Sequence, residues 1–335
     1  MSKLVTRRVA LALAAAGVAA VALAASEARA SGTTAAADTA AVRGLRFEAV
    51  IGRSGSGPGE FRRPLGLAAT STGGLLVADT GNNRVVCLGP DGAFLWEAGG
   101  IGTAEGSLRR PTAVALATGL EILVLDSGAR RVHEFHARGQ YLGVGLDLEG
   151  TELAERLGQV DPRGMAVDRA GNVLVTEQEG DRVLVFSPTW SLLYVAGGFG
   201  GGARTFEDPE GVAASSERIF VADSGNGRVQ VLDPMGRFIG SWTLPDGGRP
   251  LGLALDGKGN LFVADAGADR IVVFSPDGRV TAMVGARGRG PGSFRGPAAA
   301  CVVAGDRLVV ADAENDRLVR FTIDYGEAGA APSAP

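Results

Sequence analysis

Six copies of one hexapeptide, a strand-sized apolar run on each side of every copy, and 52 glycines in 335 residues predict an all-β fold. The specific prediction is a six-bladed β-propeller of four-stranded antiparallel blades, its ring closed by an N-terminal strand that completes the last blade. The hexapeptide is D-x-x-x-x-R, with Glu for Asp in one copy. It spans Asp79 to Arg84, Asp126 to Arg131, Glu177 to Arg182, Asp223 to Arg228, Asp265 to Arg270 and Asp312 to Arg317, at intervals of 47, 51, 46, 42 and 47 residues. Units of similar size stacked in one ring suit these intervals better than two unrelated domains.

The N-terminus is a separate element. Met1 to Ala30 has a basic start (Lys3, Arg7, Arg8), an apolar run from Val9 to Ala25 and a small-x-small exit at Ala28-Arg29-Ala30, the pattern of a signal peptide. Cleavage after Ala30 is expected, which makes the protein exported, periplasmic or extracellular. The alternative is a retained anchor, the one circumstance in which membrane contact is expected. The Arg7-Arg8 pair raises the twin-arginine route beside the general one. Residues 31–44 read as a flexible linker and 326–335 as a disordered tail.

The first repeat, Pro64 to Gly99, shows how a blade is written. Four apolar runs, LGLAAT, LLVAD, RVVCL and FLWEAG, are separated by turn-forming residues. The second runs of all six units, LLVA, ILVL, VLVT, IFVA, LFVA and LVVA, are apolar at successive positions, which fits a sheet covered on both faces. A proline opens every unit: Pro64, Pro111, Pro162, Pro209, Pro250 and Pro297. The acidic residue of the turn follows 15 residues later in five units and 14 later in the fourth, so the register is common to all. Between third and fourth strands come GPDG, HARG, SPTW, DPMG and SPDG, and the glycine-free Ser187 to Trp190 copy is expected to turn differently. The last unit ends after its third strand, and the segment from Leu45 to Ile51 matches the missing fourth. Asp147 to Gln159 is the one sizeable insertion, with a short helix capped by Thr151.

Net charge is −4, and the first 30 residues contribute +3, so the remainder carries −7. An acidic body argues against nucleic acid as a partner. Two cysteines, Cys87 and Cys301, cannot form a disulfide framework and read as buried free thiols in strands.

The repeat resembles that of the NHL β-propellers over Leu45 to Tyr325. The resemblance rests on the P-x-G opening, the strand ending V-A-D, the turn S/T-G-N-x-R-V and the F-S-P-D-G turn, nearly complete in Pro250 to Gly278. Departures are Glu177 for aspartate and Glu179 where most copies have glycine, so the third blade is expected to deviate most. Propellers similar to these include zinc lyases with histidines in the channel and calcium lactonases with Glu, Asn and Asp there. This chain has only His133 and His136, which face opposite sides of one outer strand. The inner strands carry mostly small and apolar residues. No catalytic residue, metal or cofactor is therefore expected.

The repeated turn reads as a building rule, each acid capping hairpin amides and each arginine reaching the acid. Charges that differ between units are better candidates for recognition. Around the prolines these are Arg63, Arg110, Asp161, Arg163, Asp208, Glu210 and Arg249, which place arginine-rich sectors at blades 1, 2 and 5 and an acidic sector at blades 3 and 4. The expected function is a protein- or peptide-binding scaffold of the cell envelope. The alternative is a metal-dependent hydrolase or lyase acting in the central channel. Trp96, Trp190 and Trp242 fall at or near fourth strands and read as packing residues rather than sugar platforms.

Overall fold

A computed structural model describes residues 41–117 and 120–326. The signal segment, the linker through residue 40 and the tail from residue 327 lie outside the described residues. Strand β1 (Val42–Ile51) is followed by two short parallel strands, β2 (Arg53–Ser54) and β3 (Glu60–Phe61). Blade 1 comprises β4 (Pro64–Ala69), β5 (Leu75–Asp79), β6 (Arg84–Leu88) and β7 (Phe94–Gly99). Blade 2 has β8 (Pro111–Leu116), β9 (Glu121–Asp126), β10 (Arg131–His136) and β11 (Tyr141–Asp147). The helix α1 (Thr151–Leu157) leads to blade 3, with β12 (Pro162–Val167), β13 (Val173–Glu177), β14 (Arg182–Phe186) and β15 (Leu192–Gly197). Blade 4 is β16 (Pro209–Ala214), β17 (Ile219–Asp223), β18 (Arg228–Leu232) and β19 (Phe238–Thr243), and blade 5 is β20 (Pro250–Leu255), β21 (Leu261–Asp265), β22 (Arg270–Phe274) and β23 (Val280–Val284). Blade 6 has only β24 (Pro297–Val303), β25 (Arg307–Asp312) and β26 (Arg317–Tyr325) from the C-terminal end, and β1 supplies its fourth strand.

The seam is antiparallel, with Phe47 opposite Phe321 and Ile51 opposite Leu318. It begins at Val42, so the last residues assigned to the linker already pair. Closure leaves no blade short of a strand, and so no extra edge to pair with another chain.

Burial explains the strand composition. Every residue of β5, β13, β17 and β21 is buried, because a neighbouring blade covers each face. The outermost strands β7 and β15 mostly alternate between exposed and half-buried positions instead. Six apolar clusters result, one at each interface between successive blades. One of them joins Val77 and Val86 of blade 1 to Val309 and Leu318 of blade 6, and so closes the circle.

The P-x-G opening has a steric cause. A β-carbon on Gly66 would stand 2.7 Å from the Thr112 carbonyl oxygen, and one on Gly252 would stand 2.5 Å from that of Ala298. Inner strands approach one another backbone to backbone around the channel, and glycine permits that distance. Immediately after each proline the pairing with the second strand slips, as between Pro64 and Gly66 or between Pro209 and Val212. Bulges of this kind re-aim side chains.

Four expectations need correction. The Ser187 to Trp190 turn is not different: Trp190, at a φ of 65°, takes the left-handed conformation that Gly92, Gly139, Gly236 and Gly278 adopt in the sibling turns. Its indole Nε1 donates to Glu134 Oε1 at 2.7 Å. Thr151 does not cap α1, since the cap position is Gly150 and no side chain caps it. Blade 3 keeps the common four-strand order despite Glu177 and Glu179. The histidines lie on the third strand of blade 2, not the outermost. Cys87 and Cys301 are free and buried, in β6 and β24.

Candidate functional site

The repeated acids are interior groups. Asp79, Asp126, Glu177, Asp223, Asp265 and Asp312 are all fully buried, so they offer no ring of charge to solvent. The Nε of Arg84, Arg228, Arg270 and Arg317 donates to the acid of its own turn at 2.8, 2.6, 2.9 and 2.7 Å, and Arg182 does the same to Glu177. What each acid caps differs from expectation. Aspartate accepts from an amide in the segment entering the blade, Arg62 to Asp79 at 2.7 Å, Glu207 to Asp223 at 2.8 Å and Arg295 to Asp312 at 2.6 Å. Only the longer Glu177 reaches a backbone amide inside the turn, that of Gly180. Burial pushes the Asp79 carboxyl above the usual carboxylate range, against the lowering pull of the Arg62 amide, Asn82 and Arg84. In blade 2 Arg131 leaves its acid and pairs with Asp147 at 3.0 Å.

These turns fasten the entry of the next blade. Asn83, Asp181, Asp269 and Asp316, the residues before the repeat arginines, hold left-handed φ values of 55°, 49°, 50° and 55°. Their side chains accept from the amides of Arg110, Asp208, Gly296 and Arg63 at 2.8, 2.8, 2.7 and 2.8 Å. Thr80 adds a bond to the Pro111 carbonyl at 2.6 Å, and Ser127 one to that of Pro162 at 2.7 Å. In four of the six blades the residue before the proline is thereby pinned by the preceding blade.

At the channel mouth the inner strands and these segments enclose a cavity of about 730 Å³. Each blade contributes one charged side chain to its lining: Arg63, Arg110, Arg163, Glu210, Arg249 and Glu314, in blade order. Arg63 and Arg110 sit just before their prolines with φ of 47° and 59°, where blade 6 has Gly296 at 57°. A non-glycine residue there costs roughly 1–2 kcal/mol of backbone strain. Arg163 and Glu210 follow their prolines and reach the cavity through the bulge. Glu210 lies between two guanidiniums, with Arg249 at 3.9 Å, and Gln178 donates to it at 3.1 Å. Burial raises the Glu210 carboxyl above the usual range, while Arg163 and Arg249 pull it down.

Five of the seven expected rim residues therefore meet in one cavity. Asp161 and Asp208 are not part of its lining, and Asp161 is paired with Arg163 at 2.7 Å. The acidic sector expected at blades 3 and 4 reduces to Glu210, and blade 3 contributes an arginine. Glu314 was missed. Its signal in the sequence is a glutamate at the turn position held by Gly81, Gly128, Gly225 and Gly267, the same departure as Glu179.

Comparisons with known proteins agree with this geometry. The NHL repeat model matches residues 61–88 and 206–232, in blades 1 and 4. NHL repeat-containing protein 3 of Homo sapiens is 31% identical over 87 residues, 24% of this chain, and the match spans only a quarter of that relative's length. Among solved structures, a putative gluconolactonase superposes with a TM-score of 0.61 at 16% identity, over 84% of this chain and 98% of its own. A luciferin-regenerating enzyme gives 0.60 at 15% identity, over 81% and 94%. A streptogramin B lyase gives 0.56 at 12% identity, over 84% and 98%. At such identities the likeness establishes the fold alone. Repeat matches in blades 1 and 4 together with six closed blades make this chain a six-bladed β-propeller that carries NHL repeats.

Proposed function

We propose that this propeller is a binding module that takes an acidic segment of a protein or peptide partner at the channel mouth. One observation carries the reading. Four guanidiniums from four blades face one cavity against two carboxylates, and among the described residues the Arg63 and Arg110 side chains have no hydrogen-bond or ion-pair partner. Guanidinium forks suit carboxylates, and their unpaired state leaves them available to a ligand. Tolerance of left-handed backbone at both arginines supports a role beyond packing.

The second reading, a hydrolase or lyase using the channel, draws on the raised Glu210 carboxyl in a cavity lined by arginines. Among the described residues no three His, Cys, Asp or Glu side chains gather as metal ligands. From the pattern of Met1 to Ala30 we place this binding outside the cytoplasm, in the periplasm or beyond the cell; fractionation of cells expressing the full chain checks the location.

Fluorescence anisotropy with labelled acidic, neutral and basic peptides of equal length tests the binding. The acidic peptide should bind, more weakly as salt rises, and the double variant R63E/R110E should lose it. Equal affinity for all three peptides, or an unaffected double variant, overturns the proposal.

A further inference from the structure

Blade 2 is the one blade whose repeat acid holds no guanidinium. Asp126 is fully buried and accepts one hydrogen bond, from the Arg109 amide to Oδ2 at 2.8 Å, while Oδ1 has no partner. The asparagine that also donates to the acid in blades 1, 4 and 6, Asn82, Asn226 or Asn315, is replaced by Ala129. Arg131 points away to Asp147. In its stead stands His133, two residues along β10 and 5% exposed. Its Nε2 lies 3.6 Å from Asp126 Oδ2 and has no hydrogen-bond partner.

A carboxylate removed from water needs a compensating cation, and leaving one without it is among the larger penalties in a folded protein. Five blades supply the cation from within. In blade 2 an imidazole nitrogen and a carboxylate converge instead, too far apart for a hydrogen bond. Their separation is close to that of two ligands on one ion held at about 2.0–2.2 Å. Tyr141 Oη lies 3.3 Å from His133 Nδ1, where a second partner orients a ligating ring. The loop before β8 lies against this tyrosine, since a β-carbon on Gly106 would stand 3.0 Å from Tyr141 Cγ. In blades 1, 4 and 6 the carbonyls of the corresponding loop receive the guanidinium, as Ser56, Gly201 and Arg289 do at 2.7, 2.8 and 2.8 Å.

We propose that blade 2 binds one divalent transition-metal ion between His133 Nε2 and the Asp126 carboxylate, in the place where the other blades hold a guanidinium. Mixed imidazole and carboxylate donors select zinc, cobalt or nickel over calcium or magnesium. Loop carbonyls or water complete the shell. The site is structural, and it lies inside a blade rather than in the channel.

The chain has only two histidines, which makes the test direct. Chelator-treated protein labelled with ¹⁵N-histidine is titrated with Zn²⁺ and followed through its imidazole resonances. One imidazole, that of His133, should shift and saturate at one equivalent, with a rise in melting temperature. His133→Gln imports the residue that blade 4 carries as Gln230 and should abolish the response, as should Asp126→Asn. Tyr141→Phe should weaken binding by about 10-fold. Absence of any imidazole shift, a response confined to His136, or undiminished Zn²⁺ binding in folded His133→Gln overturns the proposal. Should both His133→Gln and Asp126→Asn fail to fold, the wild-type imidazole spectrum still decides it.

Discussion

Two charged regions lie within a few residues of each other around this propeller, the ring of repeat turns and the channel mouth. In the ring, all six acids are fully buried and five are paired with an arginine of their own turn. At the mouth, one charge per blade varies in sign and two arginines are unpaired. The ring repeats because every blade must fasten the next one; the mouth varies because nothing in the fold requires those charges. Charge by itself therefore does not mark a functional surface in a repeat protein. Change of charge at one position from blade to blade does.

The largest expected effect breaks the ring. Asp223→Ala leaves the Arg228 guanidinium facing an empty partner position and the Glu207 amide uncapped, and should cost about 3–5 kcal/mol in urea unfolding. The peptide affinity of the remaining folded protein should hold. A loss below about 1 kcal/mol would mean that the turns are not what joins the blades. Next comes R63E/R110E, which should leave urea unfolding within about 0.5 kcal/mol of wild type while weakening the acidic peptide at least 10-fold in anisotropy. If stability fell with affinity, ring and mouth would be one system. Smaller again is Asp126→Ala in metal-free protein, expected to cost less than about 1 kcal/mol, because the lost Arg109 bond is offset by removal of a buried carboxylate without a cation. A cost equal to that at Asp223 would show that the acid needs no guanidinium to hold a blade.

The smallest effect concerns pH. Glu210 titrates above its ordinary value of 4.5 in the folded protein, so folding favours its protonated form. That contribution is complete below about the ordinary value and is lost as pH rises through the raised one. Glu210→Gln should therefore melt slightly higher than wild type at pH 7 and at the same temperature near pH 3.5. It should also bind the acidic peptide more tightly at pH 7, having lost the carboxylate that sits between Arg163 and Arg249. A melting difference that grows on acidification would reverse the assignment.

Much of this architecture is legible in the chain because proline and glycine act locally. Pro64 and its five equivalents mark where inner strands begin, Gly66 and Gly252 mark where backbones touch, and the short last unit points to its completion by β1. The mouth was legible only in part. Blades 1, 2 and 5 bring residues from both sides of their prolines to the cavity, whereas blade 3 brings Arg163 and not Asp161, and the pairing slips beside those prolines leave no trace in composition. Glu314 arrives from a turn far along the chain from its own proline, a neighbour in space that local pattern does not connect. Trp190 took a backbone angle reserved for glycine elsewhere because Glu134 and the adjoining blade hold its ring.

The seam carries a consequence for the order of events when the ring is made. Arg46 and Thr322, bonded across it, are separated by 276 residues, so the first strand to be synthesised is the last to find its place. Until the C-terminal end emerges, blade 6 exists as two unjoined parts, and the five intermediate blades can stack only as an open arc. Loop closure over such a distance is slow, because its entropy is spent before any contact is gained. The ring is therefore complete only once β1 and β26 have paired, whatever the state of the other five blades.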